Sequence, residues 1–328
     1  MNNLPAMIID FEATDVSKEA EATQLGLANV YFNKEHQIFS RQPTCGFSGE
    51  FLPFESFYCK PDRAIGFGAM AVSHITLDDL RGALNHKDIV PDFLPKGEAY
   101  IIGHNVDYDI QVAANAGVDV SQYKAICTQA LARRLLPDLD SHSLGALTYA
   151  INPELARQYC RNAHDAGWDV TFTLWLLEHL CVEGNITSME QLYLASEEAR
   201  TPITFDFGKY KGEVIKEVAC HVKKREYFKW VFETINDKPY LLAACNDAIN
   251  SIKLLNWAYE MPGSAVPINA PIDNGDSYHV YASPAAAKPY TALKKVGDQV
   301  VDDGLFDTIE DAKAWCVKHF NIGAFHHG

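Results

Sequence analysis

A chain of 328 residues with 48% hydrophobic and 22% charged side chains has the composition of a globular protein with material for two or three domains. No run of about 18 apolar residues occurs and Met1–Ile9 lacks a basic leader, so neither a membrane-spanning helix nor a secretory signal is expected, and the cytoplasm is the expected location. A net charge of −15 argues against a protein that coats duplex nucleic acid, but not against a catalyst whose metals supply local positive charge.

In chain order, Pro5–Asp10 reads as a short apolar strand, followed by strands at Gln24–Phe32 and His36–Phe39. Glu50–Lys60 has strand spacing and is ended by Pro61-Asp62. Met70–His74 and Thr76–Leu84 read as helical, with Thr76 as N-cap three residues before Asp79. Ala99–Gly103 is a buried strand. Helices are expected over Asp109–Ala116, Thr128–Leu136, Ser143–Ala150 and His164–Val182, the first two stopped by Gly117 and Pro137. Strands that lead and helices that follow imply a mixed α/β layer fold. A second segment, 201–260, opens on Thr204–Gly212 as a small hairpin and continues in helices over 213–235 and 239–260. Residues 261–277 contain Pro262, Gly263, Pro267, Pro271 and Gly275 without periodicity and read as a linker. The third segment, 278–328, reads as strands Tyr278–Ser283 and Tyr290–Val296 and a helix that starts at the capping box Thr308-Ile-Glu-Asp311 and runs to Phe320. The eight cysteines are scattered with no Cys-x-x-Cys pair, so free buried thiols are expected rather than a zinc ribbon.

Asp10 and Glu12 lie two apart at the end of a strand, and period two places both on one face. Adjacent carboxylates repel unless a cation stands between them, and oxygen ligands suit Mg²⁺ or Mn²⁺. For the pair alone, a solvated strand end is the better reading. Asp109 closes Gly103-His-Asn-Val-Asp-Tyr-Asp109, between a buried strand and a helix. There both Asp107 and Asp109 suit a helix N-terminus as capping acids. His164 and Asp169, in His164-Asp-Ala-Gly-Trp-Asp169, are about 140° apart on a regular helix, so they share a cleft only near a helix start. Asp165 is the neighbouring decoy.

The ordered set of Asp-x-Glu, His-Asn-x-x-aromatic-Asp and His-x4-Asp resembles the DEDDh 3′→5′ exonucleases, which have a ribonuclease H-like fold. Ala125–Leu135 and Thr204–Gly212 look like the exonuclease X branch, and the resemblance covers about residues 5–235. It implies a mixed sheet flanked by helices in an exonuclease domain over 1–200, while the segment reading adds a small α+β module over 201–260 and, outside the resemblance, a small ββα domain over 278–328. The resemblance further implies that Asp10, Glu12, Asp109 and Asp169 hold two Mg²⁺ or Mn²⁺ ions and that His164 is the general base. An imidazole exchanges a proton near neutral pH, as that task requires. The substrate implied is DNA with a free 3′ end, cut to nucleoside 5′-monophosphates, with RNA as the alternative and a non-catalytic binding module as a third reading. Phe11, Ala13 and Thr14 stand where the family binds the terminal nucleotide, Gln24 where a polar residue often follows the first strand, and Met70 and His74 in a stretch that flanks the scissile end; all six are substrate-binding candidates. The stretch from Asp15 to Thr23 is longer and more acidic than the compact loop common in the family.

Phe205, Phe207, Lys209, Tyr210 and Lys211 interleave aromatic and basic residues, and Lys216, Lys223, Lys224, Arg225 and Lys229 follow. Such mixtures stack bases and hold phosphates, so Lys209 and Lys211 are substrate-binding candidates. A small aromatic core with solvated lysines is the alternative. The five tryptophans are read as core packing, and His326 and His327 as a frayed tail. The third segment carries no recognisable chemistry, which leaves nucleic acid and protein partners both open.

Overall fold

Ala6, Met7, Ile8 and Ile9 form a continuous apolar run buried on both parities, as in a central strand covered on two faces, and apolar and acidic residues alternate only from Asp10 on. A computed structural model of the chain describes residues 4–33, 38–41, 54–205, 207–236, 238–255, 257–259, 267–271, 276–283 and 287–322. Part of the expected strands at 36–39 and 50–60, most of the expected linker, and His326 and His327 lie outside these residues. The chain divides into two compact units, 1–200 and 201–328.

The first unit has strands β1 (Ala6–Ala13), β2 (Ala22–Asn33), β3 (Ile38–Arg41), β4 (Glu55–Tyr58), β5 (Ala99–Gly103) and β6 (Tyr123–Cys127). Its helices are α1 (Phe67–Ser73), α2 (His86–Phe93), α3 (Val106–Asn115), α4 (Thr128–Leu135), α5 (Leu144–Ile151), α6 (Pro153–Tyr159), α7 (Ala166–Glu183) and α8 (Met189–Arg200). The sheet order is β3-β2-β1-β5-β6, and β4 also pairs with β2. The β1–β2 pair is antiparallel, and β1–β5 and β5–β6 are parallel. This is the mixed sheet flanked by helices that the strand and helix order implies.

Parity along β1 decides which residues reach which layer. Ala6 and Ile8 pack with α4, α5, α7 and α8 in one cluster with Leu131, Leu147, Val170 and Leu192. Met7, Ile9 and Phe11 pack on the opposite face with Val106, Val112 and Val90 of α3 and α2. Asp10 and Glu12 continue the parity of Ile8, which turns them to the α7 side. At their level the register slips: Glu12 faces Gln24, but Ala13 faces Ala22, so Thr23 is an extra residue on β2. Bulges of this kind re-aim side chains at the end of a strand.

Gly26 on β2, opposite Asp10, lets α7 approach the sheet. A Cβ there would lie 2.2 Å from the carbonyl oxygen of Ala166, a backbone atom that cannot swing away. Gly167 plays the reciprocal part, since its Cβ would lie 2.2 Å from the ring of Phe54.

Several local expectations change. Residues 77–82 form turns, not a helix, although Thr76 does donate its N–H (2.8 Å) and hydroxyl (2.6 Å) to Asp79. Gly82, at φ +87°, breaks the run. Helix α2, with Pro91 inside it, arises where no helix is expected, and Asn85 caps it by accepting from the Lys87 N–H. The seven described cysteines are all free; Cys160 is half-buried and the other six are buried.

The second unit contains α9 (Ile215–Cys220), α10 (Arg225–Thr234), α11 (Pro239–Ser251), strands β7 (Ala258–Tyr259), β8 (Pro267–Pro271), β9 (Asp276–Ala282), β10 (Tyr290–Val296) and β11 (Gln299–Phe306), and α12 (Ile309–Phe320). Its sheet is antiparallel in chain order, β11-β10-β9-β8-β7. Thr204–Gly212 forms isolated bridges rather than a hairpin of regular strands. Strand β8 lies inside the expected linker. One cluster joins Phe205, Phe228 and Leu241 from the helical part to Tyr278, Val280, Ala292 and Cys316 from the later part. The second half is thus richer than ββα. Strand β11 is missed in the sequence because it is an exposed edge whose Val300 and Val301 are adjacent rather than alternating, although Gly297-Asp298 is a two-residue hairpin signal.

Gly26→Ala tests the helix–strand contact. It is expected to destabilise the chain by about 1–3 kcal/mol, the ordinary cost of overpacking. A lowered urea midpoint at unchanged slope is the expected reading; an unchanged midpoint would mean that α7 does not sit on this strand.

Candidate active site

Three elements deliver the carboxylates. Asp10 and Glu12 come from the C-terminal end of β1. Asp109 comes from the first turn of α3, whose buried stripe is Val106, Asp109, Val112 and Ala113. That spacing is the inward face of a helix, so Asp109 occupies a position that an apolar residue would normally fill. Asp107 is on the other side and pairs with Arg200. Asp169 comes from the first turn of α7.

Backbone groups hold these acids in place. The N–H of Phe11 donates to Asp109 Oδ1 at 3.0 Å, which ties α3 to β1. The N–H of His164 lies 3.3 Å from Asp169 Oδ2. His164 is not on the helix: α7 starts at Ala166, and His164 precedes it in the left-handed region, φ +67°. This turn removes the offset of a regular helix. One ligand atom each of Glu12, His164 and Asp169 then lies within 4.8 Å of the other two. Asp165 caps α7 by accepting from the Trp168 N–H at 3.2 Å.

Burial and mutual repulsion act together on these acids. Burial pushes Asp10 well above the usual carboxylate range, and Asp109, Asp169, Glu12 and Asp165 push it further. Burial also raises Asp109, against the opposing Phe11 N–H, with added repulsion from Asp169. Glu12 is pushed up to about 8, by burial first and then by Asp169, Asp109 and Asp165. Asp169 is pushed up to about 7 by burial, with the His164 N–H opposing and Asp165 adding. The charges acting on Asp10 and Glu12 are all carboxylates. Such a donor set fits a hard divalent cation, which would relieve each of these repulsions.

Beside Glu12 opens a cleft of about 580 Å³, with Phe11, Ala13, Val16, Val72, Asn105 and Tyr108 among its lining residues. Phe11 and Ala13 thus stand at the cleft. The long loop after β1 shapes its mouth: Val16 is 93% exposed, and the Tyr108 hydroxyl donates to the Asp15 carbonyl at 2.6 Å. Asn115 holds the far side of the loop through the carbonyls of Lys18 and Ala20.

Other candidates lie elsewhere. Thr14 is fully buried, and its hydroxyl accepts from the Glu21 N–H (3.1 Å) and lies 3.3 Å from Asp15. Gln24 is also buried. Its Nε2 donates to Asp165 Oδ2 (2.8 Å) and Ser56 Oγ (3.0 Å), and its Oε1 accepts from the Ala166 N–H (3.2 Å). Gln24 thus fastens the start of α7 to the sheet, with no polar atom left for a ligand. Met70 packs with Ile65, Ile75 and Leu80, and His74 is the left-handed C-cap of α1; neither lines the cleft, although Ala69 and Val72 of the same helix do.

In the second unit Lys209 and Lys211 are exposed, with Lys209 5.3 Å from the Tyr210 ring centre. The aromatic residues Phe205 and Tyr210 are buried in the core. Lys216 pairs with Asp247, Lys223 with Glu310, Lys224 with Glu213 and Lys229 with Glu233. Arg225 donates to the carbonyls of Ala219 and Ile252. The run of cations in the sequence is therefore largely spent on ion pairs and caps within this unit. Gly26 and Gly167 are site-shaping residues that sequence reasoning passed over. The signal for Gly26 was available, since glycine inside a strand marks a close approach.

The raised acids have a consequence for stability. Glu12 and Asp169 keep their protons in the folded chain to about pH 8 and 7, but release them near their ordinary values of 4.5 and 3.8 when unfolded. The folded state binds more protons between those limits, so the metal-free chain loses stability as pH rises from about 4 to 8. Melting curves in EDTA should shift down by several degrees from pH 5.5 to 8.5. Added Mg²⁺ or Mn²⁺ should recover the loss at pH 8.5 and do little at pH 5.5. A melting point independent of pH and metal would contradict this arrangement.

No protein-family profile matches the chain. It is 28% identical over 181 residues to Exodeoxyribonuclease 10 of Escherichia coli K12, a match that covers 55% of this chain and 77% of that protein. Among solved structures it is similar to exonuclease X in complex with 5′-overhanging duplex DNA, with TM-score 0.39 and 21% identity over 58% of this chain and 99% of that one. It is also similar to E. coli exonuclease I in complex with a dT13 oligonucleotide, with TM-score 0.45 and 16% identity over 89% of this chain and 55% of that one.

Proposed function

With the chain taken as an exonuclease X-like member of the DEDDh 3′→5′ exonuclease family, we propose that it removes nucleoside 5′-monophosphates from the 3′ end of DNA, with two Mg²⁺ or Mn²⁺ ions held by Asp10, Glu12, Asp109 and Asp169. The observation that carries the reading is that Glu12, Asp169 and His164 bring ligand atoms within 4.8 Å of one another, with Asp10 and Asp109 near enough to repel these acids and Glu12 beside an open cleft. Buried acids that repel each other are costly to keep unless their cation is part of the function. The DNA preference rests on the name of the E. coli relative, an exodeoxyribonuclease.

Each residue then has a task. The bound cations would supply Lewis-acid activation of water and stabilise charge on the leaving oxygen. His164, exposed at the mouth of the site, takes the proton from the attacking water. The water oxygen bonds to phosphorus as the P–O3′ bond breaks, and the departing 3′-oxygen takes a proton from solvent, so the shortened strand leaves with a free 3′-hydroxyl. Phe11, Ala13, Val16 and Val72 offer apolar surface to the terminal nucleotide, and Asn105 and Tyr108 border the same cleft. Gln24 and Asp165 act at one remove, by fixing the first turn of α7 and so the position of Asp169.

The test is a time course on 3′-labelled DNA and RNA, single- and double-stranded, with and without Mg²⁺. Mononucleotide release from DNA that needs the metal is expected. His164→Ala should lower kcat by about 10²–10⁴-fold while Mn²⁺ binding stays near the parent's. Asp10→Asn should weaken Mn²⁺ binding and activity together. Release that survives in Asp10→Asn would refute the assignment, and release from RNA alone would move the substrate.

A further inference from the structure

A second group of ligand-type side chains lies outside the carboxylate site and shares no residue with it. Glu21, just before β2, is buried, and its Oε2 accepts the backbone N–H groups of Asp62 at 2.7 Å and Arg63 at 2.8 Å. His86, the first residue of α2, is 0% exposed, and neither ring nitrogen has a hydrogen-bond partner among the described residues. Its Nε2 points at Glu21 Oε2 from 3.7 Å, beyond hydrogen-bond length. Asp62 completes the group, since one ligand atom each from Glu21, Asp62 and His86 lies within 4.8 Å of the other two.

A buried imidazole with both nitrogens unsatisfied is an exception among folded proteins, and leaving such a group without a partner is destabilising. A cation between Nε2 and the two carboxylates would remove that cost on one side and the negative charge on the other. One imidazole nitrogen with two carboxylate oxygens is a donor set for zinc or a similar transition metal, not for magnesium or calcium alone. Asp62 now accepts from Asn85 (2.6 Å) and Lys87 (2.8 Å). Lys87 is about half exposed, and a surface pair of this kind yields readily.

We propose that Glu21, Asp62 and His86 form a structural zinc site. Its place in the fold explains what the metal would do. The chain from Cys59 to Gly66 is already tied down by Cys59 N–H to the Thr23 carbonyl, by the His86 N–H to the Lys60 carbonyl, and by Gly66 N–H to the Thr14 carbonyl. That segment leads directly into α1, one wall of the cleft. Zinc at this point clamps the segment to β2 and α2 and so fixes the wall without touching the reacting atoms.

The experiment uses the full chain with Asp10→Asn and Asp169→Asn, so that the carboxylate site is disabled. After equilibration with Zn²⁺ alone and removal of excess, elemental analysis should find one zinc per chain, and X-ray absorption should find a histidine nitrogen among its ligands. Zinc at a hundredfold excess over its Kd should raise Tm by about 5–10 °C. His86→Gln and Asp62→Asn, made separately in this background, should each weaken zinc binding at least tenfold and abolish most of the Tm rise. The half-exposed Asp62→Asn keeps the test open if the buried His86→Gln fails to fold. No zinc in the parent background, or undiminished binding in Asp62→Asn, overturns the proposal. None of these readings depends on nuclease activity.

Discussion

The mutual repulsion of Asp10, Glu12, Asp109 and Asp169 is the constraint around which the first unit is built. Burial and like charge raise all four, so left to themselves these acids would hold protons or move apart. They stay together because each stands on a regular element with a core behind it. β1 is packed on both faces, α3 is tied to it by the Phe11 N–H, and α7 is the most deeply buried helix of the unit. The repulsion is therefore carried by the scaffold, and a cation would convert it into attraction.

Close approach is what the scaffold needs most. α7 reaches the sheet only because Gly26 and Gly167 have no side chains, and its first turn is then fixed by Gln24 and Asp165. The same contact sets Asp169 opposite β1 and leaves His164 in a left-handed turn ahead of the helix. For a residue other than glycine that conformation costs about 1–2 kcal/mol, and it gives His164 a direction that a regular helix could not. The cleft follows from the same region, since the long loop after β1 and helix α1 form its walls.

The second unit is a separate matter of economy in charge. The second unit spends most lysines of the 204–229 segment on its own acids, and its aromatic residues on a core shared with the later sheet and α12. Lys209 and Lys211 remain exposed on its surface. Sequence proximity of aromatic and basic residues thus measures composition, while the availability of either is a property of the packed unit.

The strand-then-helix order and the period-two placement of Asp10 and Glu12 were legible in the sequence, because periodicity is local and survives without knowledge of partners. The order of the acidic motifs was legible as a resemblance, and that order rather than any local pattern favoured Asp109 over Asp107; the buried stripe Val106, Asp109, Val112 needed the structure. Thr14, Gln24 and His86 were not legible in their roles. Whether a polar side chain faces a ligand or is consumed inside the protein depends on groups 32 to 141 residues away, as Gln24 shows with Ser56 and Asp165. The offset between His164 and Asp169 also needed the structure, since a single left-handed residue redirected the histidine. What the sequence by itself determined is which chemistry-bearing residues exist and which share a local face. Only the tertiary structure decided which of them meet, because meeting depends on glycine-sized gaps and long-range hydrogen bonds that no local pattern encodes.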